Sequence, residues 1–285
     1  MLLRASLSCV LGALMLAGTA PAQQRKPPLP PGRDPGGAAI AVLGTGIDYT
    51  LPEIARRLAR DGEGELIGWD LVDNDNRPFR RSDGASAASA SGGDGTALAR
   101  AVGAPGRRIV PVRIDAADPG SLARAVAFVA RTPARLVVVP MWSARQSDWE
   151  PFRQAASHFK DLLFIVAAGD EGRDIDRDPV WPAAFGLANA LVVTAPAPPP
   201  GDSQTAPNVG ARTVEAVVAV TFDAGGEGKP ARTSLATVLA ADTLAGCWPR
   251  LVEAHRGEAL KKALLAEAAR AAAGDSKPVI ERCTK

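Results

Sequence analysis

The stretch Leu162–Ala195, LLFIVAAGDEGRDIDRDPVWPAAFGLANALVVTA, decides the reading of the fold. It opens on an unbroken apolar run, Leu162–Ala168, and closes on a second, Leu191–Ala195, that only Thr194 interrupts, with glycines, prolines and charged residues between them. Runs so short and so uniformly apolar suit strands covered on both faces, as in a parallel sheet; a strand with one wet face alternates instead. Working outward, runs of the same kind recur at Ala38–Leu43, Leu66–Trp69, Ile109–Ile114, Leu136–Pro140 and, more briefly, Val214–Val220. Between them lie stretches of helical spacing, Glu53–Arg60, Gly95–Val102, Ser121–Ala130 and Trp149–His158. Strands alternating with helices predict an α/β domain built on a doubly wound parallel sheet with helices on both faces. In such sheets ligands bind beyond the carboxyl ends of the strands, so the residues just after each run are the place to look for chemistry.

The flanks carry other signals. Residues 1–22 read as an export signal: Arg4, an apolar Leu7–Leu16, and an Ala20-Pro21-Ala22 ending suited to cleavage. A secreted or periplasmic protein with no membrane span after cleavage is expected. Cys9 falls inside that signal, which leaves Cys247 and Cys283; an even count in an exported chain favours a disulfide over two buried thiols. Residues 23–37, rich in Pro, Gly and Arg, read as a linker, 38–245 as the folded domain, and 246–285 as a helical segment with a helix over Leu251–Ala273.

Composition narrows the function. The chain is 46% hydrophobic and 22% charged with a formal charge of +2, a balance unlike that of a strongly cationic nucleic-acid binder. Its two histidines, His158 and His255, nearly exclude a multi-histidine metal centre, and no metal or cofactor is expected. The acidic run Asp70, Asp73, Asp75 lacks the Gly and distal Glu of an EF-hand loop and reads as a polar turn; Asp174, Asp176, Asp178 read as a solvated loop.

Four segments carry a resemblance in combination: AVLGTGIDYTLPEI (Ala41–Ile54), GWDLVDNDNRPF (Gly68–Phe79) followed by GGDGTALARAVGA (Gly92–Ala104), the opening stretch, and ARTSLATVLAA (Ala231–Ala241). In this order they resemble the subtilase family of subtilisin-like serine peptidases over about residues 38–245. The resemblance implies a nucleophile at Ser234, a general-base histidine at the position of Asp94, its orienting aspartate at the position of Gly44, and an oxyanion-binding asparagine at the position of Asp170. Only the serine is kept, and Arg232 replaces a glycine close before it. It also implies a pocket wall at Trp181-Pro182, at a position where the family carries a cis peptide bond, and substrate contacts at the strand end holding Trp142 and Ser143. Pro140 has no N–H to give an incoming backbone.

These replacements remove chemistry. A serine hydroxyl attacks only when a base takes its proton, and an aspartate with a reference pKa near 3.9 is a poor base at neutral pH. His158 and His255 follow no strand end at the expected site. The resemblance therefore implies a catalytically inactive peptidase fold with a peptide or protein in the former cleft. Two alternatives stand beside it. One is an active serine endopeptidase, either a subtilase or a sedolisin-like acid peptidase, although the latter's second acid belongs four residues after Asp94, where Leu98 stands. The other is an inhibitor or chaperone-like partner of an intact peptidase.

Overall fold

The computed structural model describes residues 27–79, 95–103, 106–198, 200, 205–220, 230–271 and 277–281. Eight strands form one sheet: β1 (Ala38–Gly44), β2 (Trp69–Asp70), β3 (Arg107–Arg113), β4 (Leu136–Val139), β5 (Leu163–Ala167), β6 (Ala190–Thr194), β7 (Ala216–Val218) and β8 (Val279–Ile280). Their order is β2-β3-β1-β4-β5-β6-β7-β8, and every pairing is parallel. The helices are α1 (Pro52–Ala55), α2 (Gly95–Ala101), α3 (Gly120–Val129), α4 (Glu150–His158), α5 (Arg232–Cys247), α6 (Pro249–Ala254) and α7 (Gly257–Ala271). The expected α/β architecture is the observed one.

Period-two alternation divides the core. Ile40 and Val42 of β1 and Val138 of β4 face one apolar cluster, while Ala39, Ala41 and Leu43 of β1 and Val137 and Val139 of β4 face the other. Both faces are dry along β1, β4 and β5, which is why these three strands are apolar throughout. Residues of α2, α5, α6 and α7 cover the first face, and residues of α3 and α4 the second. The central helix α5 is buried along its whole length from Arg232 to Ala245, and its many alanines let its axis lie close over β4, β5 and β6. It runs through the 245/246 boundary expected from sequence.

Some elements differ from expectation. The helix expected over Glu53–Arg60 stops at Ala55, because the Ala59 N–H bonds Ile109 O at 2.8 Å and Leu58 bridges to Ile109. The C-terminal helix is broken at His255-Arg256 into α6 and α7. Residues 27–37 form no regular element, yet they are tied to the domain. The Tyr49 hydroxyl donates to Pro27 O at 2.7 Å, Arg60 Nη2 to Pro30 O at 2.8 Å, and Arg108 pairs with Asp34 at 2.8 Å. Among the described residues no helix is long and apolar enough to cross a membrane.

Candidate functional site

The strand order turns at β1. The chain places β3 and β2 on one side of β1 and β4 to β8 on the other, so the crevice at the carboxyl ends of β1 and β4 is the switch point of the sheet. Gly44 ends β1, Pro140 follows β4, and α5 begins beneath them. The sequence-expected nucleophile does arrive here. Ser234 lies in the first turn of α5, fully buried, and its hydroxyl donates to the carbonyl of Pro140.

The opening of α5 is closed by a side chain. The Asp170 carboxylate accepts the Thr233 N–H at 3.1 Å and the Thr233 hydroxyl at 2.9 Å, while Gly169 N–H donates to that hydroxyl at 3.2 Å. A helix N-terminus favours an anion, and here the chain supplies its own. Burial, aided by the nearby charge of Glu171, raises the Asp170 pKa despite the Thr233 hydrogen bonds and the Arg232 charge that oppose it. Arg232, itself buried, reaches Pro196 O with Nε at 3.3 Å.

On the other side of the crevice the carboxylate position is empty of side chain. A Cβ added to Gly44 would meet none of the described residues within 4 Å. Beside it in register stands Arg113, whose Nη1 donates to Asp70 at 2.9 Å and to Asp73 at 3.2 Å. Asp70 is fully buried and also accepts the Val72 and Asp73 N–H groups. The acidic turn is thus an arginine clamp, and among the described residues no cluster of His, Cys, Asp and Glu is arranged to hold a metal. Asp94 and Cys283 lie outside the described residues. Cys247 ends α5.

A residue that sequence reading missed organises the loop around Asp170. Asn208 is fully buried; its Oδ1 accepts the Glu171 and Arg173 N–H groups at 3.0 Å each, and its Nδ2 donates to Ala168 O at 2.9 Å and to the Glu171 carboxylate. Its own N–H bonds Gly169 O at 2.8 Å and its carbonyl accepts the Thr194 hydroxyl at 2.7 Å. Nothing near Asn208 in sequence signals this, since its partners lie 14–40 residues away in the chain. Glu171 also accepts the indole N–H of Trp142, which is only 5% exposed. Gly169 is held at φ +95°, and a Cβ there would stand 2.5 Å from Asn208 Nδ2 and 2.9 Å from Trp142 Nε1.

Trp142 is therefore a wall rather than a free contact surface. On its far side is a cleft of about 330 Å³ lined by Leu122, Met141 and Trp149. Ser143 is fixed at its edge: its backbone exchanges two hydrogen bonds with Trp181, each 2.9 Å, and its hydroxyl accepts Trp149 Nε1 at 3.1 Å. The Trp181–Pro182 bond is cis, and Trp181 packs on Phe185 with ring centroids 4.5 Å apart. The paired Ser143 and Trp181 backbones thus connect Trp142 and Ser143 to Trp181 and Pro182. Of the other candidates, His158 is exposed at the end of α4, and Asp176 sits under the Arg212 and Thr213 N–H groups, which hold its carboxyl well below the usual range.

No protein-family profile matches the sequence, and no curated protein does. Solved structures do match the fold. A cold-adapted subtilisin-like serine proteinase aligns with a TM-score of 0.59 at 18% identity, over 88% of this chain and 91% of that one. A lanthipeptide protease aligns at 0.61 and 16%, over 87% and 86%. The nisin leader peptidase NisP from Lactococcus lactis aligns at 0.54 and 12%, over 86% and 85%. The fold is that of subtilisin-like serine proteases.

Proposed function

We propose that this subtilisin-fold chain is an exported binding or scaffold protein that holds a peptide or protein segment in the former substrate cleft without hydrolysing it. The observation that carries this reading is the hydrogen bond from the Ser234 hydroxyl to the Pro140 carbonyl. A peptide carbonyl cannot take the proton that an attacking serine must lose, so this bond does not activate the hydroxyl.

The surroundings point the same way. Gly44 supplies no carboxylate to orient a base. Loss of a triad member drops turnover by about four orders of magnitude. An ionised Asp170 facing a developing oxyanion at about 4 Å would repel it by about 4 kcal/mol at an effective dielectric of 20. In this reading residues 1–22 are removed on export and Cys247 pairs with Cys283, which locks the C-terminal segment to the end of α5.

The test is labelling of the purified protein with a fluorophosphonate probe from acid to mildly alkaline pH, beside Ser234→Ala. We expect no labelling at any pH. Stoichiometric labelling lost in Ser234→Ala would overturn the non-hydrolytic reading, and labelling confined to acid would replace it with a sedolisin-like one.

A further inference from the structure

The cleft beyond Trp142 has an uneven chemistry. Its interior is apolar, formed by Leu122 on α3 and by Met141 and Trp149 around the end of β4. Its rim carries three carboxylates, Asp115, Asp118 and Asp148, against one guanidinium, Arg145. Arg145 is taken by Asp148 at 2.9 Å, and Asp118 is paired with Arg124 of α3 at 2.7 Å. Asp115 is left as the rim carboxylate that no cation pairs among the described residues; its Oδ1 accepts only the Ala117 N–H, at 2.9 Å.

We infer that this cleft takes the cationic side chain of an extended peptide, arginine above all, with its methylene stem between Leu122, Met141 and Trp149 and its guanidinium at Asp115. The inference rests on the reading that the chain binds peptide, and adds what that peptide must contain. An arginine has an apolar stem to match the walls and a fork that suits a carboxylate with one oxygen already engaged. A purely aliphatic side chain would fill the walls but leave the Asp115 charge desolvated without a partner. The cleft communicates with the site through one short segment: Pro140, whose carbonyl holds Ser234, is followed directly by Met141 in the wall. A peptide seated here lies alongside the buried serine, with the Trp142 indole between its anchoring side chain and Glu171.

The experiment uses the mature full-length protein and acetylated tetra-alanine amides carrying arginine at each position in turn, with citrulline counterparts. Citrulline keeps the planar shape of arginine and loses its charge, with a carbonyl acceptor in place of two of the five N–H donors. Binding is followed by calorimetry and tryptophan fluorescence, and each peptide is recovered and weighed by mass spectrometry for cleavage. We expect one arginine peptide to bind about tenfold more tightly than its citrulline twin, weakening as salt rises. Asp115→Asn, whose amide oxygen still accepts the Ala117 N–H, should erase that preference to within about twofold while the protein keeps its circular dichroism and melting point. Equal binding of the citrulline peptide, a preference that survives Asp115→Asn, or no binding by either peptide overturns the cation site. Equal binding without cleavage would still leave the scaffold reading standing. Preferential cleavage of the arginine peptide would support the cation site while overturning the non-hydrolytic reading, so the two can fail separately.

Discussion

Asp170 and Thr233 meet at the opening of α5: one carboxylate accepts both the backbone N–H and the hydroxyl of the threonine, at 3.1 and 2.9 Å. The first turn of the central helix thus receives a carboxylate from its own chain. The consequences for stability can be measured residue by residue.

Burial raises the Asp170 pKa above its ordinary 3.8. A carboxyl raised on folding contributes stability that is complete below the unfolded value and lost as pH climbs through the folded one. Ionisation of the folded group at higher pH therefore works against stability. Asp170→Asn, whose amide oxygen can still accept from Thr233, should raise the urea midpoint at neutral pH, and the gain should shrink toward zero as the pH falls toward 3.8. A gain that does not change with pH would refute the assignment.

Gly44 and Gly169 should respond oppositely to a methyl group. At Gly44 there is room for a Cβ and no positive φ, so Gly44→Ala should be neutral or stabilising by up to about 1 kcal/mol through the unfolded chain. At Gly169 the φ of +95° and a Cβ 2.5 Å from Asn208 predict a loss of about 2 kcal/mol or more. Denaturant titration of both variants checks the pair, and equal effects would mean that the crevice is not arranged as described.

Asn208→Ala should cost about 2 kcal/mol or more, since it leaves the buried Ala168 carbonyl and the partly buried Glu171 and Arg173 N–H groups without their partner. Hydrogen exchange should localise the loosening to residues 168–173. A variant as stable as the wild type would remove Asn208 from its organising role.

Tyr49 is the chain's one tyrosine, and burial pushes its phenol up to about 12 from 10.0. A raised phenol adds stability that is whole below pH 10.0 and disappears as the pH passes about 12. Absorbance near 295 nm should show no tyrosinate until the protein begins to unfold in base. Tyr49→Phe loses the bond to Pro27 and should make residues 27–37 cleavable by added protease at a concentration that spares the wild type. Ionisation near 10 would place the phenol in water.

The strands were the legible part of this fold. The runs Leu162–Ala168 and Leu191–Ala195 mark β5 and β6 to within a residue, because a strand buried on both faces is built almost wholly from apolar residues. Helical spacing was less dependable. Glu53–Arg60 has the spacing of a helix, but Leu58 and Ala59 pair with Ile109 across the sheet edge, and that pairing outweighs a local preference worth only tenths of a kcal/mol per residue. The candidate site was legible as a set of positions and not as an arrangement. Trp142 was singled out as a binding residue, yet its burial against Gly169 and its bond to Glu171 make it the wall of a cleft.

The sequence by itself determined what chemistry is missing. Gly44 carries no carboxylate in any fold, and a chain with two histidines has little imidazole to spare. Only the tertiary structure decided what the retained groups do. The Asp170–Thr233 contact spans 63 residues of chain and the Ser234–Pro140 contact spans 94. A side chain's donors and acceptors are written in its identity, but a buried group must find its partner among whatever packing brings within about 3 Å, and that choice is made across the sheet rather than along the chain.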